Sequence, residues 1–283
     1  MACTTLISAD DLKDRMGRPG WRIFDCRCSA NDPSVGEKLY REGHLPGARH
    51  ADLDRVLAAP SGPHTGRHPL PAPDKLAAWL GAEGVGEKTQ IVAYDDAGGA
   101  FAARLWWLAR WLGHEAVAVL DGGIRAWEKA GGTLESGEAP GREPVNFRIR
   151  EPLAGIADVH EVARVVSHLH SGRLVDARDR RRYLGELEPI DPVAGHIPGA
   201  HSRPFGDNLD EQGRFLPVEQ LRTRFSTLAR DPRSVIHYCG SGVTACHNVL
   251  AMEHAGLTGS RLYPGSWSEW IRDPGRPVER GIT

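Results

Sequence analysis

Apolar residues along the chain follow two alternating patterns. Short runs such as VIHY at 235–238 are typical of strands that are buried on both faces of a sheet. Longer stretches, AARLWWLARWL at 102–112 and VTACHNVLAMEHAG at 243–256, place apolar residues at helical spacing, and Gly256 is positioned to end the second of these helices. Strands that alternate with helices predict an α/β fold, in which a mostly parallel sheet is flanked by helices.

The same set of motifs occurs twice along the chain. Each copy contains an apolar run that ends in Asp-x-Arg, WRIFDCR in the first and GRLVDAR in the second, and then a Gly-His-apolar-Pro-Gly-Ala turn. The order and spacing of the motifs agree, which indicates a repeated structural unit. We therefore predict two tandem domains of one fold, joined by a linker rich in Pro, Gly and charge. The predicted ranges are 1–134 for the first domain, 135–155 for the linker and 156–283 for the second domain.

Composition and charge are typical of a globular protein and do not suggest a nucleic-acid or membrane partner. The chain has 283 residues, of which 40% are hydrophobic, and its formal net charge is −2. A nucleic-acid or membrane partner usually requires a basic excess, so neither is expected. The N-terminal residues lack the basic and apolar regions of a signal peptide. Five cysteines without framework spacing argue against a disulfide scaffold, and we expect a reducing cytoplasmic environment.

A cysteine surrounded by small residues is the strongest chemical signal in the sequence. CGSGVTA at 239–245 lies between a predicted strand and a predicted helix, at the sheet edge where α/β folds bind ligands. Gly240 and Gly242 permit a tight loop, whose N–H groups and following helix N-terminus would stabilise an anion. Cys239 is therefore a candidate nucleophile. The alternative is a buried cysteine with a structural role only.

Other uses of such a loop fit the sequence less well. A cysteine phosphatase requires arginine where this chain has Ala245, because that arginine binds the phosphate through two hydrogen bonds. A Walker A loop requires a Gly-Lys-Ser/Thr sequence, which does not follow here. Cys26 and Cys28, and the neighbours Cys246 and His247, lack the spacing of zinc ligands. No metal or cofactor is therefore expected.

Taken together, these motifs resemble those of two-domain rhodanese-fold sulfurtransferases. CGSGVTA is similar to the loop of the 3-mercaptopyruvate sulfurtransferases, and YREGHLPGA, GHIPGA, YPGSWSEW and VDARDRRRYLGE match further tracts of the family. The resemblance extends over essentially the whole chain. It implies that a small-molecule donor transfers sulfane sulfur to Cys239, forming a persulfide. A thiophilic acceptor, such as cyanide, a reduced thiol or a thioredoxin-like protein, then removes that sulfur.

The resemblance also implies roles for individual residues. Cys239 would carry the sulfur, Ser241 would donate a hydrogen bond to the donor molecule, and Arg182 would bind the donor's acid group. The first copy has Asp95 at the position of the cysteine, and a carboxylate cannot form a persulfide, so this copy is predicted to be inactive. The segment that follows Asp95 differs from GSGVTA, and a different cradle is expected there. The N–H groups from Gly240 to Ala245, which include those of Gly242, Val243 and Thr244, would hold the persulfide. His44 and Arg67, in the first copy, are further candidate binding residues; the alternative for His44 is that it only satisfies the turn before Pro-Gly.

The identity of the donor is the open point. The 3-mercaptopyruvate enzymes usually carry a second arginine soon after the first, whereas no arginine occurs here between Arg182 and Arg203. Thiosulfate-preferring enzymes carry basic residues where this chain has Gly240 and Ser241. We expect 3-mercaptopyruvate as the donor; the alternatives are a thiosulfate:cyanide sulfurtransferase and a persulfide carrier for a protein partner. Arg67 or His68, in TGRHPLP, would supply the missing charge unless that tract is a surface loop.

Overall fold

The chain forms two compact α/β units. A computed structural model describes residues 2–29, 32 and 34–281. The first unit comprises Met1–Ala59, Pro71–Leu153 and Glu211–Phe215, and the second comprises Pro60–Leu70, Ala154–Asp210 and Leu216–Thr283. Two units of the predicted α/β class confirm the predicted fold, whereas the predicted domain boundaries stay a prediction. The segment 60–70, which precedes the predicted linker, packs with the second unit.

The first unit is built around a five-stranded parallel sheet in the order β1-β5-β4-β2-β3. All five residues of its β4 strand are buried, as expected for a parallel sheet that is covered on both faces. Trp106 and Trp107, on the fourth helix, are fully buried and supply much of the core. The elements are β1 Leu6–Ile7, α1 Ala9–Lys13, β2 Trp21–Asp25, α2 Ser34–Glu42, β3 Arg49–His50, α3 Pro73–Ala82, β4 Gln90–Tyr94, α4 Ala102–Trp111, β5 Val117–Leu120 and α5 Gly123–Lys129.

The second unit repeats this architecture, with the strand order β6-β10-β9-β7-β8 and parallel pairing throughout. The run VIHY forms the fully buried β9 strand, and the apolar stretch after it forms α9, which ends just before Gly256. The elements are β6 Gly155–Ile156, α6 Val159–Val166, β7 Arg173–Asp176, α7 Arg180–Leu184, β8 His201–Ser202, α8 Val218–Ser226, β9 Val235–Tyr238, α9 Ala245–His254, β10 Arg261–Leu262 and α10 Ser266–Trp270.

The Asp-x-Arg motif is a buried ion pair in the second unit. The Arg178 Nη2 atom lies 2.7 Å from the Asp176 carboxylate, and both side chains are at most 1% exposed. The same guanidinium group donates a 2.6 Å hydrogen bond to the carbonyl oxygen of Gly195, which begins the Gly-His-apolar-Pro-Gly-Ala turn. The motif and the turn of this copy are therefore joined by one arginine.

The first unit contains the equivalent arrangement. Arg27 pairs with Asp25 at 2.5 Å and donates a 2.6 Å hydrogen bond to the carbonyl oxygen of Gly43. The turn histidine, His44, is buried, and its Nδ1 atom donates to the carbonyl oxygen of Tyr40 at 2.8 Å while its ring stacks on that of Tyr40. The repeated motifs thus fix the path of the chain at one edge of each sheet.

All five cysteines are free thiols. In the part of the chain that the structure describes, no helix is long and apolar enough to cross a membrane. The cytoplasmic location stays a prediction.

Candidate active site at the Cys239 loop

Cys239 lies directly after β9, and the helix α9 begins six residues later. Its side chain is buried, and the N–H group of Gly242 donates a hydrogen bond of 3.1 Å to its Sγ atom. Gly242 has a φ of +79°, and a Cβ atom at this position would overlap the carbonyl oxygen of Pro264. Only glycine therefore allows the loop to turn back and direct this N–H group at the sulfur.

The tract YPGSWSEW holds the cysteine loop from its other side. The hydroxyl of Ser266 accepts a 3.1 Å hydrogen bond from the N–H group of Cys239 and donates to the carbonyl oxygen of Tyr263. The N–H groups of Trp267 and Ser268 donate to the carbonyl oxygens of Cys239 and Gly240, at 3.0 and 2.9 Å. From the sequence, this tract was recognisable only as a motif that matches the family. Its structural role is to fix both peptide groups beside the nucleophile.

Two arginines lie at Gly240, the residue that follows the cysteine. A Cβ atom on Gly240 would lie 2.9 Å from the Nη2 atom of Arg67 and 3.5 Å from the Nη2 atom of Arg182. Both guanidinium groups are thus within contact distance of the cysteine loop. The structure brings together the two arginines that were predicted to bind the donor, although they are far apart in the sequence. Their role in binding the donor stays a prediction.

Buried carboxylates, which the sequence analysis did not consider, hold these arginines. Asp191 forms ion pairs with Arg67 and, at 3.1 Å, with Arg182; its side chain is 3% exposed. Glu188, equally buried, pairs with Arg182 at 2.7 Å and with Arg178 at 3.3 Å. Burial raises the pKa of Asp191, and the charge of Arg67 opposes that rise. In the sequence, these carboxylates could have been suspected from the acidic residues of GELEPID at 185–191, shortly after Arg182.

His68 and Arg67 tie the tract TGRHPLP to the site. The Nδ1 atom of His68 shares a 2.7 Å hydrogen bond with the hydroxyl of Ser241, which is 6% exposed. The N–H group of Arg67 donates to the hydroxyl of Ser268 at 3.0 Å. Of the two interpretations left open for this tract, contact with the cysteine loop agrees with the structure.

The remaining loop residues form the transition into the helix. Val243 and Ala245 are buried, and Thr244 is the N-cap residue of α9. Cys246, in the first turn of that helix, is fully buried and donates from its Sγ atom to the carbonyl oxygen of Gly242. The binding of a persulfide by the N–H groups of residues 240–245 stays a prediction.

The loop of the first copy is filled by its own carboxylate. Asp95 occupies the position after β4, and its two oxygens accept hydrogen bonds of 2.8–2.9 Å from four N–H groups. Burial raises the pKa of Asp95, and these hydrogen bonds counteract that effect. This loop therefore also directs N–H groups at its first side chain, although its sequence differs from that of the second copy. The four donors belong to Ala97, Gly99, Phe101 and Ala102.

Three further candidates lie in the first unit. His44 is held by Tyr40, which is the contact expected of a side chain that supports a turn, and its role in binding substrate stays a prediction. Burial raises the pKa of the Cys26 and Cys28 thiols, and the Asp95 charge adds to this effect. Both thiols are therefore poor nucleophiles. Among the described residues, no group of three or more His, Cys, Asp or Glu side chains is arranged to hold a metal ion.

Comparisons with known proteins agree with the repeated architecture. The family described as Rhodanese-like domain matches residues 8–130 and 161–273. A Pseudomonas aeruginosa protein named probable 3-mercaptopyruvate sulfurtransferase is 49% identical over 285 residues, which cover 99% of this chain and 100% of the relative. Thiosulfate sulfurtransferase of Mus musculus is 35% identical over 268 residues, covering 91% and 88%. The solved 3-mercaptopyruvate sulfurtransferase from Leishmania major aligns with a TM-score of 0.82 and 31% identity, covering 96% of this chain and 76% of that one.

Proposed function

The chain belongs to the rhodanese family and is a sulfurtransferase, and we propose that it carries sulfane sulfur as a persulfide on Cys239. The donor is 3-mercaptopyruvate, and the acceptor is a thiophile such as cyanide or a reduced thiol. One observation carries this proposal: a buried cysteine that accepts an N–H hydrogen bond stands beside two guanidinium groups. A nucleophile and an anion-binding site are thus adjacent.

The transfer consists of two displacements at sulfur. In the first, the Cys239 thiolate attacks the sulfur of the donor, an S–S bond forms and the donor's C–S bond breaks. The electron pair of that C–S bond passes to the enolate of pyruvate, which takes up a proton. In the second, the acceptor attacks the outer sulfur of the persulfide, and the thiolate is released again. With cyanide as acceptor, the product is thiocyanate.

Ser241 and His68 support the first displacement. The enolate needs a proton, and a hydroxyl that shares a 2.7 Å hydrogen bond with an imidazole can deliver one. Ser241 is buried two positions after the nucleophile, which suits a group that contacts the ketone or enolate oxygen of the donor. The N–H group of Gly242 stabilises negative charge on the sulfur before and after the transfer.

The charge balance around Gly240 favours a donor with a single carboxylate. Arg67 and Arg182 contribute two positive charges, and the buried carboxylates of Asp191 and Glu188 contribute two negative charges. In the described chain, Nη1 of Arg182 and Nη2 of Arg67 have no hydrogen-bond partner, so each can donate to a donor carboxylate. Thiosulfate is a compact dianion and would require more net positive charge at this point.

Thiosulfate is the second candidate donor, and one observation favours it. Arg67 brings a positive charge to Gly240 that the loop sequence itself does not contain. The preference between the two donors therefore depends on how completely the Asp191 carboxylate offsets the charge of Arg67. A comparison of kcat/KM for the two donors at one pH distinguishes the candidates. A larger value for thiosulfate would contradict our choice of donor while leaving the sulfur chemistry intact.

The acceptor and the compartment follow from the chemistry of the persulfide. An outer sulfur is removed by a small thiolate or by the thiol of a thioredoxin-like protein, and both are kept reduced in the cytoplasm. We therefore infer a cytoplasmic reaction with a thiol acceptor. A persulfide carrier for a protein partner would use the same intermediate. It would differ by turning over slowly with small thiols and rapidly with its partner.

The experiment that tests the proposal uses Cys239→Ser with Cys246→Ser as the matched control. After treatment with 3-mercaptopyruvate, the wild-type chain and the control should gain the mass of one sulfur atom, and Cys239→Ser should gain none. A hydroxyl is a weak nucleophile and cannot carry sulfane sulfur. Sulfur transfer to cyanide by Cys239→Ser at the wild-type rate would overturn the proposal.

A further inference from the structure

A groove rich in positive charge lies in the first unit. It has a volume of about 780 Å³ and is lined in part by the end of α1, the turn after it and the start of β2. This volume is within the range of small-molecule sites. Five cationic side chains line it, whereas none of the described residues that line it is acidic; these cations are Lys13, Arg15, Arg18, Arg22 and Arg142.

Main-chain carbonyl groups, rather than carboxylates, hold three of these cations. Lys13 donates to the carbonyl oxygen of Ala130, Arg22 to that of Trp21 and Arg142 to that of Gly47. A carbonyl oxygen satisfies a hydrogen bond but does not neutralise the charge. The positive charge of these groups is therefore largely uncompensated.

Carboxylates near the groove only partly offset this charge. Asp11 pairs with Arg15 at 3.0 Å, and Glu135 accepts a 2.9 Å hydrogen bond from the N–H group of Gly47. Glu83 also acts on Arg142 but is ion-paired with Arg49. Even with the charges of Asp11 and Glu135 counted, positive charges are in excess at the groove.

Two arginine nitrogens in this groove lack a partner. The Nε atoms of Arg22 and Arg142 are buried and have no hydrogen-bond partner within the described part of the chain. Both arginines line the groove, and burial and the charge of Arg22 lower the pKa of Arg142. These guanidinium groups therefore have unused hydrogen-bonding capacity, and an anion in the groove would supply the negative charge that they lack.

The rest of the groove is apolar and partly aromatic. Leu12 and Trp127 are buried beneath it, and Met16 and Trp21 are partly exposed and pack against the same core. Arg15 lies over the ring of Trp21, with its guanidinium carbon 5.9 Å from the ring centroid. A flat apolar group could therefore lie against these side chains while its acid group reached the arginines.

We propose that this groove binds a small organic anion with a flat, apolar body, whose acid group contacts Arg22 and Arg142. All lining residues belong to the first unit, whereas Cys239 belongs to the second. The proposal does not depend on the sulfur donor. It assigns to the copy without a nucleophilic cysteine a binding role of its own.

The test is a fluorescence titration with the anionic dye anilinonaphthalene sulfonate on the full chain. We expect one saturable site per chain, with about tenfold weaker binding in Arg142→Met and in Arg22→Met, because each variant removes a charge-assisted hydrogen bond. Arg148→Met, at an exposed arginine, is the matched control and should bind as the wild type does. Arg142→Lys keeps the charge and should retain most of the affinity.

An uncharged probe separates charge from apolar contact. N-phenylnaphthylamine lacks the sulfonate and should bind at least about tenfold more weakly than the anionic dye. Thermal melting of each variant shows whether it is folded, and Arg22→Met provides the measurement if Arg142→Met is not. Equal binding of the two probes, wild-type affinity in both methionine variants, or the absence of a saturable site would each overturn the proposal.

Discussion

Two guanidinium groups and two buried carboxylates lie at the loop of the proposed nucleophile, and one of the carboxylates contacts both arginines. Arg67 and Arg182 both contact Asp191, and both lie within 4 Å of a Cβ atom built on Gly240. The 3-mercaptopyruvate sulfurtransferases that the chain resembles usually carry a second arginine soon after the one that matches Arg182. The chain has an acidic residue there instead, and the second cation comes from a different segment. Asp191 positions that cation and at the same time offsets part of the positive charge.

Removing either arginine should weaken donor binding. Arg182→Met and Arg67→Met should each raise the KM for 3-mercaptopyruvate by roughly ten- to a hundredfold, since a charge-assisted hydrogen bond contributes about 1.5–3 kcal/mol. Arg181→Met is the control, because Arg181 is exposed and precedes Arg182 on the same helix. Steady-state kinetics provide the measurement. Equal KM values in all three variants would show that the donor binds elsewhere.

Removing the carboxylate should change donor preference. In Asp191→Asn the site gains one net positive charge, which benefits the dianion thiosulfate more than the monoanion 3-mercaptopyruvate. The ratio of kcat/KM for thiosulfate to that for 3-mercaptopyruvate should rise by about tenfold. Glu186→Gln removes an exposed carboxylate nearby and should leave the ratio unchanged. A ratio that falls in Asp191→Asn would contradict the electrostatic account.

Each copy uses the loop between a buried strand and the helix after it in a different way. After β9 the loop surrounds a thiol, and after β4 the corresponding loop surrounds a carboxylate that accepts four N–H hydrogen bonds. One strand–loop–helix design therefore supplies N–H groups to an anion in both copies. The identity of the first side chain decides between a reactive loop and a structural one.

The geometry of the reactive loop requires glycine at one position. Gly242→Ala combines a positive φ with an overlap between Cβ and the carbonyl oxygen of Pro264. Gly213→Ala has a similar φ of +74°, but its Cβ would meet no described atom within 4 Å. Both variants should lose about 1–2 kcal/mol of stability from the backbone angle. Gly242→Ala alone should lower kcat by about a hundredfold, because the loop that carries the sulfur must move.

Gly242→Ala and Gly213→Ala are compared by two measurements, stability and the rate of sulfur transfer. Urea denaturation gives the free energy of unfolding, and single-turnover sulfur transfer gives the rate at the cysteine. Wild-type kcat in a folded Gly242→Ala protein would show that the loop tolerates displacement.

The loop around Asp95 in the first copy should depend on the Asp95 carboxylate for its stability. In Asp95→Asn one carboxylate oxygen is replaced by an amide nitrogen, which cannot accept, so two of the four N–H groups lose their acceptor. The free energy of unfolding should fall by about 2–6 kcal/mol, at roughly 1–3 kcal/mol for each unsatisfied group. Asp96→Asn, at the exposed neighbour, should change stability by less than about 0.5 kcal/mol. Equal stability of the two variants, measured by urea denaturation, would mean that Asp95 contributes no net stabilisation.

In the whole molecule, a duplicated fold contains one cysteine that we propose carries sulfur. Cys239 accepts a backbone hydrogen bond beside two arginines, whereas burial raises the pKa of Cys26 and Cys28. Cys246 is buried in a helix and bonded to the loop backbone. The two copies have thus diverged in chemistry while they kept the sheet order, the Asp-x-Arg ion pair and the turn that it supports.

We therefore expect one sulfane sulfur per chain, even with excess donor. Release of sulfur by cyanide, followed as thiocyanate, should give one equivalent for the wild type and for Cys28→Ser. Peptide mapping should find the persulfide in the segment that contains Cys239. A second equivalent, or a persulfide on Cys26 or Cys28, would contradict the assignment of reactivity from burial.

The fold class and the repetition could be predicted from the sequence alone, and so could a candidate reactive cysteine. These features depend on local pattern: apolar runs of strand length, helical spacing, and a cysteine followed by glycines directly after a buried strand. Arg182 was also identified from a short motif. The physical reason is that each of these signals is contained in a stretch of neighbouring residues, so it survives without knowledge of distant contacts.

The assembly of the site, in contrast, depends on contacts between residues that are distant in the sequence. The contact between His68 and Ser241 joins residues 173 positions apart, and that between Arg67 and Asp191 joins residues 124 positions apart. Neither spacing carries a local signal, because such contacts arise from the packing of a distant segment against the cysteine loop. The partner of each arginine, the hydroxyl of Ser266 that holds the peptide of Cys239, and the four N–H groups around Asp95 were likewise fixed by chain folding, which brings backbone groups together regardless of their side chains.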